Sequence, residues 1–148
     1  SKYIGELFVR FYLKTYFIIR TSALFGKGKS SKLNFVDRVL QSKGEMKVVN
    51  DQIVCPTYTL DLAKQMKKII EKADYGIYHA VSDGSISWYD FAKEISPRKK
   101  IIPVTTEQFG SKANRLASAM LLTDKLKDLG IYCMRTRQEG LKDYLHEL

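Results

Sequence analysis

Cysteine and histidine are scarce in this chain, and each scarcity removes a class of function. Two cysteines, Cys55 and Cys133, make neither a disulfide framework nor a zinc site. They read as buried free thiols and fit a reducing, cytoplasmic compartment. Only two histidines are available for metal or acid–base work. His79 lies in an apolar run and His146 beside Glu147, neither with a cysteine or carboxylate at ligand spacing, so no metal site is expected. There is no Gly-x-Ser-x-Gly elbow for a Ser-His-Asp hydrolase. The segment Gly26-Lys-Gly-Lys-Ser-Ser-Lys32 lacks the Gly-x-x-x-x-Gly-Lys-Ser/Thr spacing and does not open a helix directly, which excludes a P-loop. No Gly-x-Gly-x-x-Gly turn follows a strand, so the chain cannot by itself build a dinucleotide pyrophosphate site. No apolar run approaches the ~20 residues of a membrane span. Lys2, Glu6 and Arg10 interrupt the first apolar segment, unlike a signal peptide.

What remains is a globular composition, 45% hydrophobic and 28% charged, long enough to bury one core. The formal net charge of +9 raises nucleic acid as a partner. Most lysines are spread over helix faces, however, as in Lys64, Lys67, Lys68 and Lys72. The denser groups carry no interleaved aromatics. A basic face for an anionic nucleotide substrate is preferred to an RNA or DNA surface. Because the first residue is Ser, the chain is expected to begin inside a longer protein.

The apolar periods predict helices alternating with strands. Residues 1–13 read as a helix with Tyr3, Ile4, Leu7, Phe8, Phe11 and Tyr12 in one stripe. Lys2 and Glu6 are four apart, so the plainest role for Lys2 is a surface ion pair. A strand over 16–22 leads through a glycine-rich loop to a helix over 34–43, with Val36, Val39 and Leu40 inward and Gly44 as its stop. A strand over 46–50 enters Asp51-Gln-Ile-Val-Cys-Pro-Thr-Tyr-Thr-Leu-Asp-Leu-Ala63. There Pro56 fixes its own φ and holds Cys55 extended, so the chain turns. Thr59 is expected to cap the next helix, with Asp61 in its first turn and Leu62, Ala63, Met66, Ile69, Ile70 and Ala73 as its buried face. A strand over 76–81 follows. Ser87 then caps a helix with Trp88, Phe91, Ala92 and Ile95 inward. An edge strand over 101–105 comes next, and residues 105–117 carry no clear pattern. A short helix over 124–129 stops at Gly130. Thr136-Arg-Gln-Glu139 is a capping box opening a last helix with Leu141, Tyr144, Leu145 and Leu148 on one face. The alternation argues βαβ units and an at least partly parallel sheet.

Four blocks in this order carry a resemblance: Ile18-Ile-Arg-Thr-Ser22, the stretch from Asp51 to Ala63, Gly76-Ile-Tyr-His79, and Ser87-Trp-Tyr-Asp-Phe-Ala-Lys-Glu-Ile95. They resemble the C-terminal half of the dTDP-4-dehydrorhamnose reductases, in the extended short-chain dehydrogenase/reductase family. The resemblance implies the C-terminal part of an NAD(P)-binding Rossmann-like α/β fold with its smaller mixed α/β substrate-binding lobe. Within one unit, residues 1–32 would be the last part of the dinucleotide-binding sheet and residues 33–148 mainly the lobe.

The same resemblance implies the chemistry. Ser1-Lys2-Tyr-Ile-Gly-Glu6 looks like the end of the family's Tyr-x-x-x-Lys pair, with the tyrosine two residues before Ser1. Lys2 would hold the nicotinamide ribose of NADPH or NADH and tune that tyrosine. A phenol with a reference pKa of ~10 must be brought toward neutrality to protonate a reduced carbonyl. Thr21 and Ser22 would run past the cofactor. Ala23 stands where the family usually carries a tryptophan against the sugar. Asn34, Gln52, Thr57 and Arg115 would lie on the substrate side, although Leu116 replaces the proline that usually follows the arginine. The implied reaction is reduction of the C4 keto group of a dTDP-linked 6-deoxy-sugar, as in dTDP-L-rhamnose biosynthesis. The fragment alone is expected to be inactive, with an N-terminal half or another chain covering its first helix and strand. A homodimer is a further candidate assembly. The alternative is a non-catalytic regulatory module of the same fold, similar to a methionine adenosyltransferase β-subunit.

Overall fold

The structure, a computed structural model, describes residues 2–28, 33–110 and 116–148. In chain order its elements are α1 (Lys2–Tyr12), β1 (Phe17–Arg20), β2 (Leu24–Phe25), α2 (Phe35–Gln41), β3 (Met46–Val49), β4 (Ile53–Val54), β5 (Thr57–Tyr58), α3 (Thr59–Lys72), β6 (Gly76–His79), β7 (Ile86–Ser87), α4 (Trp88–Ile95), β8 (Ile101–Val104), α5 (Thr106–Phe109), α6 (Asp124–Asp128) and α7 (Arg137–His146). Three strand pairs are parallel, β1 with β6, β2 with β5 and β3 with β8, and β4 pairs antiparallel with β7. Among the described residues the strands form four two-stranded sheets, three of them parallel, and the α/β class follows the predicted alternation.

Two cores form. Around β1 and β6 pack Leu62 and Ile69 of α3, Leu126 of α6, and Ile131 and Met134, with Phe17 and Ile19 against them. Around β3 and β8 pack Phe25, Val36, Val39, Tyr58, Phe91, Ile95, Leu141 and Tyr144. Each core draws on residues from both sides of position 32, because the chain leaves the first sheet at β2 and returns to it through α3.

The two edges of the first sheet differ. Gly76 N–H donates to Tyr16 and Ala80 N–H to Arg20. In a parallel ladder alternate residues face the same neighbour, so Phe17, Ile19 and Thr21 turn their backbone groups away from β6. Among the described residues no strand pairs there. The outer edge of β6 is covered instead. Lys125 of α6 donates to the Ile77 carbonyl at 3.1 Å and sits 3.9 Å above the Tyr78 ring. Helix α1 buries none of its residues: its predicted apolar stripe faces outward, with Phe11 81% exposed.

Several local expectations are corrected. Lys2 and Glu6 do not pair. The Glu6 carboxylate takes Arg20 Nε at 3.1 and 3.2 Å and Nη2 at 2.6 Å. A planar guanidinium satisfies both carboxylate oxygens, which one ammonium on the same helix does not. Thr59 is the first residue of α3 rather than its cap; Tyr58 holds that position without a side-chain bond. Ala63, Met66 and Ile70 of α3 are exposed or only partly covered, since Asp61 and Gln65 take inward positions. Leu40, Leu145 and Leu148 are also exposed, and Cys133 is only half-buried, whereas Cys55 is buried. The unpatterned 105–117 stretch contains α5, opened by a capping box from Thr105 and Gln108.

Candidate functional site

The chain turns across the end of the sheet directly after β1. Ala23 is the one non-glycine residue of positive φ among those described, at 45°. For an L residue the left-handed region costs roughly 1–2 kcal/mol. In that conformation the Ala23 carbonyl accepts Thr57 N–H at 3.2 Å. One residue earlier, Ser22 Oγ accepts Cys55 N–H at 3.5 Å. The block ending at Ser22 and the block containing Pro56 are distant in sequence, and here they share one seam.

Thr57 is fully buried. Its hydroxyl donates to the Cys55 carbonyl at 2.9 Å and accepts Ser82 N–H at 3.4 Å, locking the proline turn from both sides. Thr21 Oγ1 is enclosed without a hydrogen-bond partner among the described residues. Lys2 lies exposed at the start of α1, and the described ion pairs do not include it. The Glu6–Arg20 pair ties α1 to β1, and its hydrogen bond holds the Glu6 carboxyl below the ordinary glutamate range.

Gln52 is buried and donates to Thr106 Oγ1 at 2.8 Å. Asp51 accepts both the backbone N–H and the hydroxyl of Thr106, which lower its carboxyl pKa, the backbone bond first. Asn34 caps α2 by accepting Asp37 N–H at 3.1 Å. Arg115 lies outside the described residues.

Sequence reasoning missed a recess of about 180 Å³ between α2, β3, α4 and α5, lined by Phe35, Arg38, Lys47, Gln52, Trp88 and Phe109 among others. Phe35 and Trp88 approach to 4.4 Å between ring centroids. Phe35 and Trp88 are the first residues of α2 and α4. Their caps Asn34 and Ser87 therefore aim two aromatics at one point, a juxtaposition legible only once the helices are placed. The volume is below that of a drug-sized site and suits a single flat ring, with Arg38 and Lys47 able to meet an attached anion. Among the described residues no cluster of ligating side chains could hold a metal ion.

The family model described as RmlD substrate binding domain matches residues 1–148. The spore coat polysaccharide biosynthesis protein SpsK of Bacillus subtilis (strain 168) is 38% identical, covering 99% of this chain and 53% of that protein. The crystal structure of dTDP-4-dehydrorhamnose reductase from Bacillus anthracis str. Ames in complex with NADP superposes with a TM-score of 0.89 at 38% identity, over 99% of this chain and 54% of that one. UDP-glucose 4-epimerase of Thermus thermophilus, at 14% identity over 98% of this chain and 50% of that one, shares the fold with a TM-score of 0.72. The chain spans about half the length of the curated relatives it matches.

Proposed function

The chain belongs to the RmlD substrate binding domain family, and from that premise we propose that it is the sugar-nucleotide half of a reductase. The whole protein reduces the C4 keto group of a dTDP-linked 6-deoxy-sugar with NADPH or NADH. The observation that carries the reading is the seam at which Ser22 and Ala23 meet Cys55 and Thr57. It sets the end of β1 against the proline turn, as a cleft shared by cofactor and sugar requires.

The roles divide by place. The aromatic recess takes the thymine ring, stacked against Phe35 and Trp88, with Arg38 and Lys47 toward the diphosphate. Arg115 is a further diphosphate ligand, through its bidentate fork. Gln52 borders the recess, and Asn34 and Thr57 hold the walls on which the sugar rests. Ala23 leaves room beside the sugar. Lys2, on the helix that the Glu6–Arg20 pair ties to β1, holds the nicotinamide ribose and lowers the pKa of a tyrosine carried upstream, which protonates the new hydroxyl. Thr21 and Ser22 line the nicotinamide end. The cofactor supplies the hydride; its pyrophosphate end needs a glycine-rich turn that this chain lacks, so another α/β segment holds it. That segment pairs with the open edge of β1 and covers α1, completing the dinucleotide-binding sheet that residues 1–32 begin, while residues 33–148 mainly form the lobe.

Trp88 is the only tryptophan, so its fluorescence reports the recess directly. Titration with dTDP is expected to quench it saturably. Phe35→Ala should weaken dTDP about tenfold or more, the scale of one lost base–aromatic stack of ~1–3 kcal/mol. Residues 1–148 alone are expected to oxidise no NADPH or NADH with the keto-sugar, whereas the longer protein does. Absence of saturable quenching in both forms would remove the reading.

A further inference from the structure

Asn34 is held from the far end of the chain. Its Oδ1 accepts Asp37 N–H, which fixes the amide so that Nδ2 faces three acceptors: Gly26 O at 3.2 Å, Asp37 Oδ2 at 2.8 Å and the Tyr144 hydroxyl at 2.9 Å. An amide carries two hydrogens, so which acceptors it serves depends on where Asp37 and Tyr144 stand. Tyr144 settles this by donating to Asp37 Oδ1 at 2.6 Å, closing a ring of three side chains. Tyr144 itself cannot shift: it is 2% exposed and packs on Phe25 and Tyr58.

Helix α7 grips the seam a second time. Tyr58, next to Thr57, donates its hydroxyl to Glu147, the residue that caps the end of α7, at 2.7 Å. Gly140 allows this closeness, since a Cβ there would lie 2.8 Å from Tyr58 Cβ. Gly26 is pinned likewise, because a Cβ on it would meet Thr59 Oγ1 at 1.9 Å.

We propose that α7 is the positioning element of the sugar-nucleotide cleft, and that Tyr144 is the positioning residue through which it sets Asn34 and, one residue on, the recess wall Phe35. The inference rests on the reading of the recess as a dTDP site. It assigns Tyr144 no contact with substrate. The hydroxyl orients the cap, and the cap orients the ring against which the base stacks.

Tyr144→Phe tests it in the protein carrying this chain, because the ring and its packing stay and only the hydroxyl leaves. Affinity for dTDP, read by Trp88 fluorescence, is expected to fall about tenfold while the melting temperature falls by only a few degrees. Amide exchange at Asp37 and Arg38 should quicken, with exchange in β1 and β6 unchanged. Asp37→Asn, which keeps the size but removes the carboxylate, is expected to reproduce the loss if Tyr144→Phe proves unstable. Unchanged dTDP affinity in a folded Tyr144→Phe protein overturns the proposal. If the unaltered protein itself binds no dTDP, the dTDP reading has failed. The exchange rates then decide the clamp alone: faster exchange at Asp37 supports it and unchanged exchange overturns it.

Discussion

The β1–β6 sheet has two edges, and they are treated oppositely. At the β6 edge, α6 lies alongside with Leu126 fully buried, and Lys125 supplies a donor to the Ile77 carbonyl that water or a stray strand would otherwise meet. At the β1 edge the backbone groups of Phe17, Ile19 and Thr21 face outward beside an apolar helix that buries nothing. An edge guarded by a charged side chain ends a sheet, whereas an open edge beside an uncovered apolar stripe continues one. The contrast gives the molecule a direction: among the described residues the sheet is covered toward α6 and open toward α1.

Proline breaks this comparison most sharply. Ile18 faces β6 with both backbone groups, so Ile18→Pro removes a ladder bond and a buried side chain, an expected loss of about 2–5 kcal/mol in urea unfolding. Ile19 faces the open edge, and Ile19→Pro should cost the isolated chain less than half as much. Equal losses would mean that the β1 edge is already engaged. A smaller effect comes from the guarded side: Lys125→Ala is expected to lower stability by about 0.5–1.5 kcal/mol and to quicken amide exchange at the outer edge of β6 alone. An unaltered exchange pattern would show that Lys125 guards nothing.

The smallest effect is one of pH. The Glu6 carboxyl is lowered below its ordinary value of 4.5 by its hydrogen bond to Arg20. A lowered folded pKa makes that contribution complete above the ordinary value and loses it as pH falls through the folded one. Tyr58 shows the opposite sign: burial first, then its bond to Glu147, raise its pKa to about 12. Its contribution is complete below pH ~10 and drains only as pH climbs toward the folded value. Acid should therefore loosen the tie between α1 and β1, as amide exchange followed from pH 7 to pH ~3 would register.

Much of this was legible in sequence because it is local. Ser87 and Thr136 cap the helices they were expected to cap, and the stripe of α1 has the predicted composition and faces outward. Helix α3 shows where local reading stops. Its apolar spacing suggested Met66 and Ile70 inward, yet the inward positions belong to Asp61, paired with Arg135, and to Gln65. Gln65 donates to Ile131 O at 3.1 Å and accepts Cys133 N–H at 2.7 Å. A buried polar residue with a distant partner cannot be told from a surface one by period alone. The candidate site divides the same way. Gln52, Thr57 and Asn34 were singled out from motifs, but the recess needs four elements placed at once. The Thr105-Thr106-Glu107-Gln108 signal that opens its fourth wall was present in the sequence and passed over.

The grip of α7 on the lobe also fixes an order of events during synthesis. Leu141 and Tyr144 belong to the same core as Val36, Val48, Phe91 and Ile101, all of which leave the ribosome earlier. Those residues emerge with their apolar faces exposed and wait for α7 before they can close. The interval in which this lobe is most exposed to chaperones and to aggregation is therefore the one between the emergence of β8 and that of Tyr144.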